Sequence, residues 1–82
     1  MRILPLHPDI EKYLHKHGLY PKFEKQKRLF ETNPRHPSLN TELMEPKHLR
    51  FFSFRVDKKY RALFFFHSND VVEVIEVNNH YK

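Results

Sequence analysis

At about residue 48 the hydrophobic pattern of this chain changes period, and that switch decides which folds remain open to it. Upstream, apolar residues recur at helical spacing between prolines. Downstream the period is two, and six of the eight phenylalanines fall between positions 51 and 66, where aromatic and β-branched residues mark strands. Helices first and a run of strands afterwards is the signature of an α+β domain. At 82 residues there is room for one such domain, 1–82, with one modest core, since a chain of this size buries roughly 60–65% of its unfolded surface.

The helical half reads in detail. Arg2-Ile3-Leu4-Pro5-Leu6 is an apolar run suited to a first strand, and Pro5, lacking a ladder donor, gives it an edge position or an early end. Pro8 suits the first turn of a helix whose inner stripe is Ile10, Tyr13, Leu14 and His17. Asp9 and Glu11 sit at its positive end, and Gly18, the only glycine, stops it. A second helix is expected from Pro21 to about Asn33, with Phe23, Gln26 and Phe30 inward, Leu19 extending the stripe, and Lys22, Lys25, Lys27 and Arg28 on the other side. A proline-punctuated loop, 33–40, follows.

The strand half is expected as an antiparallel meander, with strands at about 48–56, 60–67 and 70–77 joined by Asp57-Lys58-Lys59 and by Ser68-Asn69. A three-residue first loop sets Val56 opposite Tyr60 and Arg55 opposite Arg61. A two-residue second turn sets Arg61 opposite Glu76. Alternation then gives a core face of Phe52, Phe54, Val56, Tyr60, Ala62, Phe64, Phe66, Val71, Ile75 and Val77, packed on the helices. Glu73 shares that parity and fits it badly, so it is expected near the sheet edge, paired with a helix lysine. The opposite face carries Phe51, Ser53, Arg55, Arg61, Leu63, Phe65, Val72, Val74 and Glu76, and continued alternation adds His80. Two guanidiniums and an imidazole on one surface suit a phosphodiester. A plain cross-strand ion pair between Arg61 and Glu76, with His80 as an ordinary terminal side chain, accounts for the same pattern.

Charge is consistent with a polyanionic partner or an acidic one. The net charge is +5, distributed as +3 over residues 1–34, +4 over 35–61 and −2 over 62–82. There is no cysteine, which rules out disulfides and thiolate metal sites. Seven histidines show no ligand spacing, and no nucleotide loop or cofactor motif is present, so no metal and no cofactor are expected. No apolar run is long enough for a membrane span, and the apolar start is too short for a secretion signal, so a soluble cytoplasmic protein is expected.

The order strand, two helices, three-stranded meander, with Pro37-Ser38-Leu39, Ser53-Phe54-Arg55-Val56, Tyr60-Arg61-Ala62-Leu63-Phe64, Val74-Ile75-Glu76-Val77 and the closing His80-Tyr81, resembles the RelE/ParE toxin superfamily over nearly the whole chain. The His-Tyr ending is most similar to the YoeB-like and RelE-like branch. That resemblance implies a RelE-like fold and the toxin of a type II toxin-antitoxin module. Such a toxin is a metal-independent endoribonuclease, cutting messenger RNA on the ribosome, with a cognate antitoxin as partner. It implies Arg61 as phosphate holder, Arg55 as a second basic group, His80 as proton donor and Tyr81 as the neighbouring aromatic. The general base stays open among Glu42, Glu45 and Glu76. Lys47, His48, Lys25 and Arg28 are expected to contact RNA backbone. A ParE-like gyrase inhibitor and a noncatalytic RNA- or protein-binding module are the alternatives.

Overall fold

The computed structural model describes residues 1–79. The chain runs β1 (Arg2–Ile3), α1 (Pro8–Lys16), α2 (Tyr20–Thr32), β2 (Glu42–Leu43), β3 (Phe52–Arg55), β4 (Arg61–Ser68) and β5 (Val71–Asn78), with short 3-10 turns at Pro37–Leu39 and Lys47–Leu49. The strands form one five-stranded sheet in the order β1-β5-β4-β3-β2. β1 lies parallel to β5 and the other pairs are antiparallel.

The helices begin and end as their residues dictate. The His7 ring accepts a hydrogen bond from the Asp9 amide at 3.0 Å, capping α1 ahead of Pro8. Gly18 adopts φ +65°, so Leu19 N–H reaches back to the Leu14 carbonyl at 2.7 Å and closes the helix. Leu14, Leu19, Phe23 and Phe30 are buried. α2 is tied to the sheet by two polar side chains. Gln26 donates to the carbonyls of Arg55 (2.8 Å) and Ser38 (3.3 Å). The Glu31 carboxylate accepts from the Ile3 amide at 2.9 Å.

The core is an aromatic cluster. Phe54 lies 5.3 Å from Phe30, 5.7 Å from Phe64 and 6.1 Å from Phe23, ring centre to ring centre. Phe30 meets Phe64 edge-on at 5.2 Å. Offset and edge-to-face contacts of this kind add to the gain from burial alone.

The first hairpin has the register expected from its loop. Arg55 is opposite Arg61, and Val56 N–H bonds the Tyr60 carbonyl at 2.9 Å. Asp57 builds the loop, its carboxylate accepting from the amides of Lys59 and Tyr60 at 2.8 Å each and pairing with Lys22 at 3.3 Å. Burial works to raise the Asp57 carboxyl, but those amides and the Lys22 ammonium outweigh it and hold the group below its ordinary value near 3.8. A depressed carboxyl stabilises the fold above its unfolded titration and stops doing so as pH falls through the folded value. Asp57→Ala is therefore expected to cost about 1–2 kcal/mol at neutral pH. Urea titrations at a series of pH values should find the gap to wild type closing below pH ~4.

Several expectations are corrected. Residues 48–51 are not strand: a 3-10 turn and Arg50 at φ +58° occupy them. β2 was missed, because two residues carry no periodic signal. In the second hairpin Arg61 is opposite Asn78 and not Glu76, which is opposite Leu63. Register shifts between Leu63 and Phe64 and between Phe66 and Ser68 leave Ile75 and His67 as the extra residues. The phase of β5 is inverted between them. Val72 and Val74 are buried in the core, while Ile75 is 37% exposed and Phe66 41%. Val71 is only half-buried. Glu73 is thereby turned out of the core, and it pairs with His67 at 2.7 Å in place of a helix lysine.

Candidate functional site

Arg61 opens β4 on the face turned away from the helices, as alternation with Ala62 and Phe64 requires. It is only 8% exposed, an uncommon state for an arginine. Its Nε donates to Ser53 Oγ at 2.8 Å, and its Nη2 donates to the Ser53 carbonyl at 3.1 Å and to the Asn40 carbonyl. Ser53 is fully buried, and its hydroxyl in turn donates to the Met44 sulfur at 3.2 Å. Asn40 turns its carbonyl toward Arg61 from a left-handed conformation, φ +46°, that asparagine tolerates well. These acceptors on two separate segments fix the plane of the guanidinium.

Arg55 stands directly opposite and is exposed. Like charges across a strand pair are unfavourable. The forked donors of two guanidiniums match the oxygens of a phosphate.

Carboxylates surround this pair at different reach. Glu42 on β2 is opposite Ser53, hence beside the Arg61 anchor. Glu76 is opposite Leu63, one step along the same face, and accepts a hydrogen bond from the Asn78 amide group. The Tyr13 phenol is raised, chiefly by burial, then by neighbouring Tyr60, and last by the charge of Glu76. Glu45 is exposed in the loop after β2. Lys47 and His48 are exposed on the 3-10 turn before β3, at the end of the ladder far from Arg61. Lys25 and Arg28 are exposed on the solvent side of α2, with helix and sheet between them and Arg61. The structure thus gathers Arg55, Arg61 and Glu76 on one face and leaves the other cations elsewhere. His80 and Tyr81 lie outside the described residues. Sequence reasoning missed Ser53 and Asn40 as the holders of Arg61. A serine amid phenylalanines on a strand was the available signal for the first, and nothing local signalled the second.

Two helices lie on one face of a mixed sheet and the paired arginines on the other, and this α+β fold is the one seen in solved YoeB/ParE and YoeB-YefM toxin chains. The chain superposes on a YoeB/ParE toxin from Agrobacterium tumefaciens with a TM-score of 0.70 at 20% identity, covering 99% of this chain and 100% of that one. Chains from two structures of the YoeB-YefM complex of Staphylococcus aureus, one described as a heterotetrameric toxin-antitoxin assembly, match at 14% identity. Their TM-scores are 0.70 and 0.69, each over 99% of this chain and 98% of theirs. The sequence matches no protein-family model and no curated protein.

Proposed function

We propose that this chain is the toxin of a type II toxin-antitoxin module, a cytoplasmic, metal-independent endoribonuclease that cuts messenger RNA on the ribosome. The observation that carries this reading is the Arg55–Arg61 pair, two guanidiniums directly opposed on the sheet face away from the helices, one locked and one exposed. The fold shared with the Staphylococcus aureus YoeB-YefM chains supports the toxin role and an antitoxin partner.

In the proposed reaction a ribose 2′-oxygen attacks the adjacent phosphorus, its proton passing to a carboxylate, with Glu76 and Glu45 as the candidates. The bond from phosphorus to the 5′-oxygen breaks, His80 protonates that oxygen, and a 2′,3′-cyclic phosphate remains. Arg61 is the fixed clamp on the phosphate and needs no reorganisation as charge builds. Arg55 closes from the other side. Tyr81 stacks on a base. Lys47, His48, Lys25 and Arg28 are assigned to ribosomal RNA backbone, where they fix orientation and carry no sequence information.

Inducible expression with transcript-end mapping tests the reading. Wild type is expected to cut within translated codons. Arg55→Ala should keep the fold and reduce cutting roughly 100-fold or more, and His80→Ala should match it. Intact transcripts with damaged DNA would move the chain to the gyrase-inhibitor class. Growth arrest with neither would leave a noncatalytic binding module.

A further inference from the structure

We propose that the Met44 thioether is an oxidation site through which peroxide loosens the Arg61 anchor. The proposal rests on the nuclease reading above only for its effect on cutting. Three side chains stand in series: Arg61 Nε donates to Ser53 Oγ at 2.8 Å, and that hydroxyl gives its single proton to the Met44 sulfur at 3.2 Å. Arg61 and Ser53 are buried, whereas Met44 is half-buried just after β2, at the edge of the sheet. Met44 is thus the most exposed member of the series and the one with oxidisable sulfur. The chain has no cysteine to compete for oxidant and two methionines. The other, Met1, precedes β1 at the opposite edge of the sheet.

The chemistry sets the sign of the effect. One sulfur lone pair takes the Ser53 proton, and the other is available as a nucleophile. It attacks one oxygen of hydrogen peroxide: an S–O bond forms, the O–O bond breaks, sulfur gives up two electrons, and the second oxygen leaves as water with both protons. The product is methionine sulfoxide, polar and chiral where the thioether was apolar. Its sulfur carries partial positive charge and no longer accepts the hydroxyl proton aimed at it. The new oxygen is a strong acceptor, but it sits elsewhere on the sulfur, so Ser53 has to turn or shift to reach it. Ser53 is not free to do so, because its Oγ holds Arg61 Nε and its carbonyl holds Arg61 Nη2 at 3.1 Å. Whether the hydroxyl goes unpaired or drags the serine out of place, a buried hydrogen bond is lost and the guanidinium loses its fixed plane.

The test treats the full chain with hydrogen peroxide and follows the tryptic peptide spanning residues 36–47, which carries Met44. That peptide is expected to gain one oxygen, and Tm to fall by about 4–8 °C. Methionine sulfoxide reductases acting on both epimers should restore it. Met44→Leu, which keeps the bulk and lacks the sulfur, should show the same Tm before and after treatment. Cutting of messenger on isolated ribosomes, measured well below the thermal transition, should drop up to roughly 100-fold as the anchor shifts, and only where Met44 is oxidised. An oxidised Met44 with Tm unchanged or raised overturns the proposal, as does an equal fall in Met44→Leu, or a Met44 that stays reduced while Met1 is oxidised. Unchanged cutting by the oxidised chain overturns it too. The two readings separate: a chain that cuts transcripts regardless of Met44 oxidation refutes the oxidation site alone. A chain whose Tm falls through Met44 and that cuts nothing even when reduced refutes the nuclease alone.

Discussion

Arg61→Ala is expected to remove the proposed cutting activity together with a large share of the folding free energy, whereas Arg55→Ala should remove the activity alone. The guanidinium satisfies the Ser53 hydroxyl, the Ser53 carbonyl and the Asn40 carbonyl in a nearly dry site. Deleting it strands those acceptors at about 1–3 kcal/mol for each that water cannot reach, so a loss of about 2–5 kcal/mol is expected in urea titration. Arg61→Lys keeps the charge but cannot bridge two segments with one planar fork, and should recover only part of the stability. Arg55 is exposed, and its replacement should move stability by no more than about 0.5 kcal/mol. Equal melting of Arg61→Ala and wild type would mean that the anchor is not formed in solution.

Phe54→Ala should be the most destabilising change in the core. Phe54 is fully buried and contacts Phe23, Phe30 and Phe64, so its removal opens a cavity between sheet and α2 that three rings cannot refill. The expected cost is about 3–5 kcal/mol, against about 5–15 kcal/mol for a whole domain. In a chain this short that corresponds to a fall in Tm of about 12 °C or more. Phe54→Leu, which keeps most of the volume, should lose far less. A deficit below about 1 kcal/mol for the alanine variant would contradict the packing described.

The helices and the first hairpin were legible because each rests on local rules. Pro8 and Gly18 bracket α1, Phe23, Gln26 and Phe30 share one stripe, and Asp57-Lys58-Lys59 sets an odd loop whose parity carries Arg55 and Arg61 to one face. The second hairpin was not legible, because a bulge has no periodic signature. Its trace was present all the same. Strict alternation sends the Glu73 carboxylate into the core, and burying an unpaired charge costs more than skipping a residue in the ladder. The misfit of one acid was the visible sign of a phase shift that seats Val72 and Val74 inside. The Arg61 anchor was half legible. Ser53 follows from alternation, whereas Asn40 reaches Arg61 only through a left-handed turn that brings distant backbone close.

The two skipped residues sit on opposite strands, Ile75 on β5 and His67 on β4, and their offsets cancel: Arg61 with Asn78 and Ser68 with Val71 are in step, while the stretch between them is displaced by one. The hairpin works like a vernier with a slack position on each rail. Shortening the chain by Ile75 would leave a regular ladder that still seats Val74 and Val77 on the same side, so length can vary there without rotating the arginine end. Relatives of this chain aligned without a gap at that point will appear to swap inward and outward residues where none has moved.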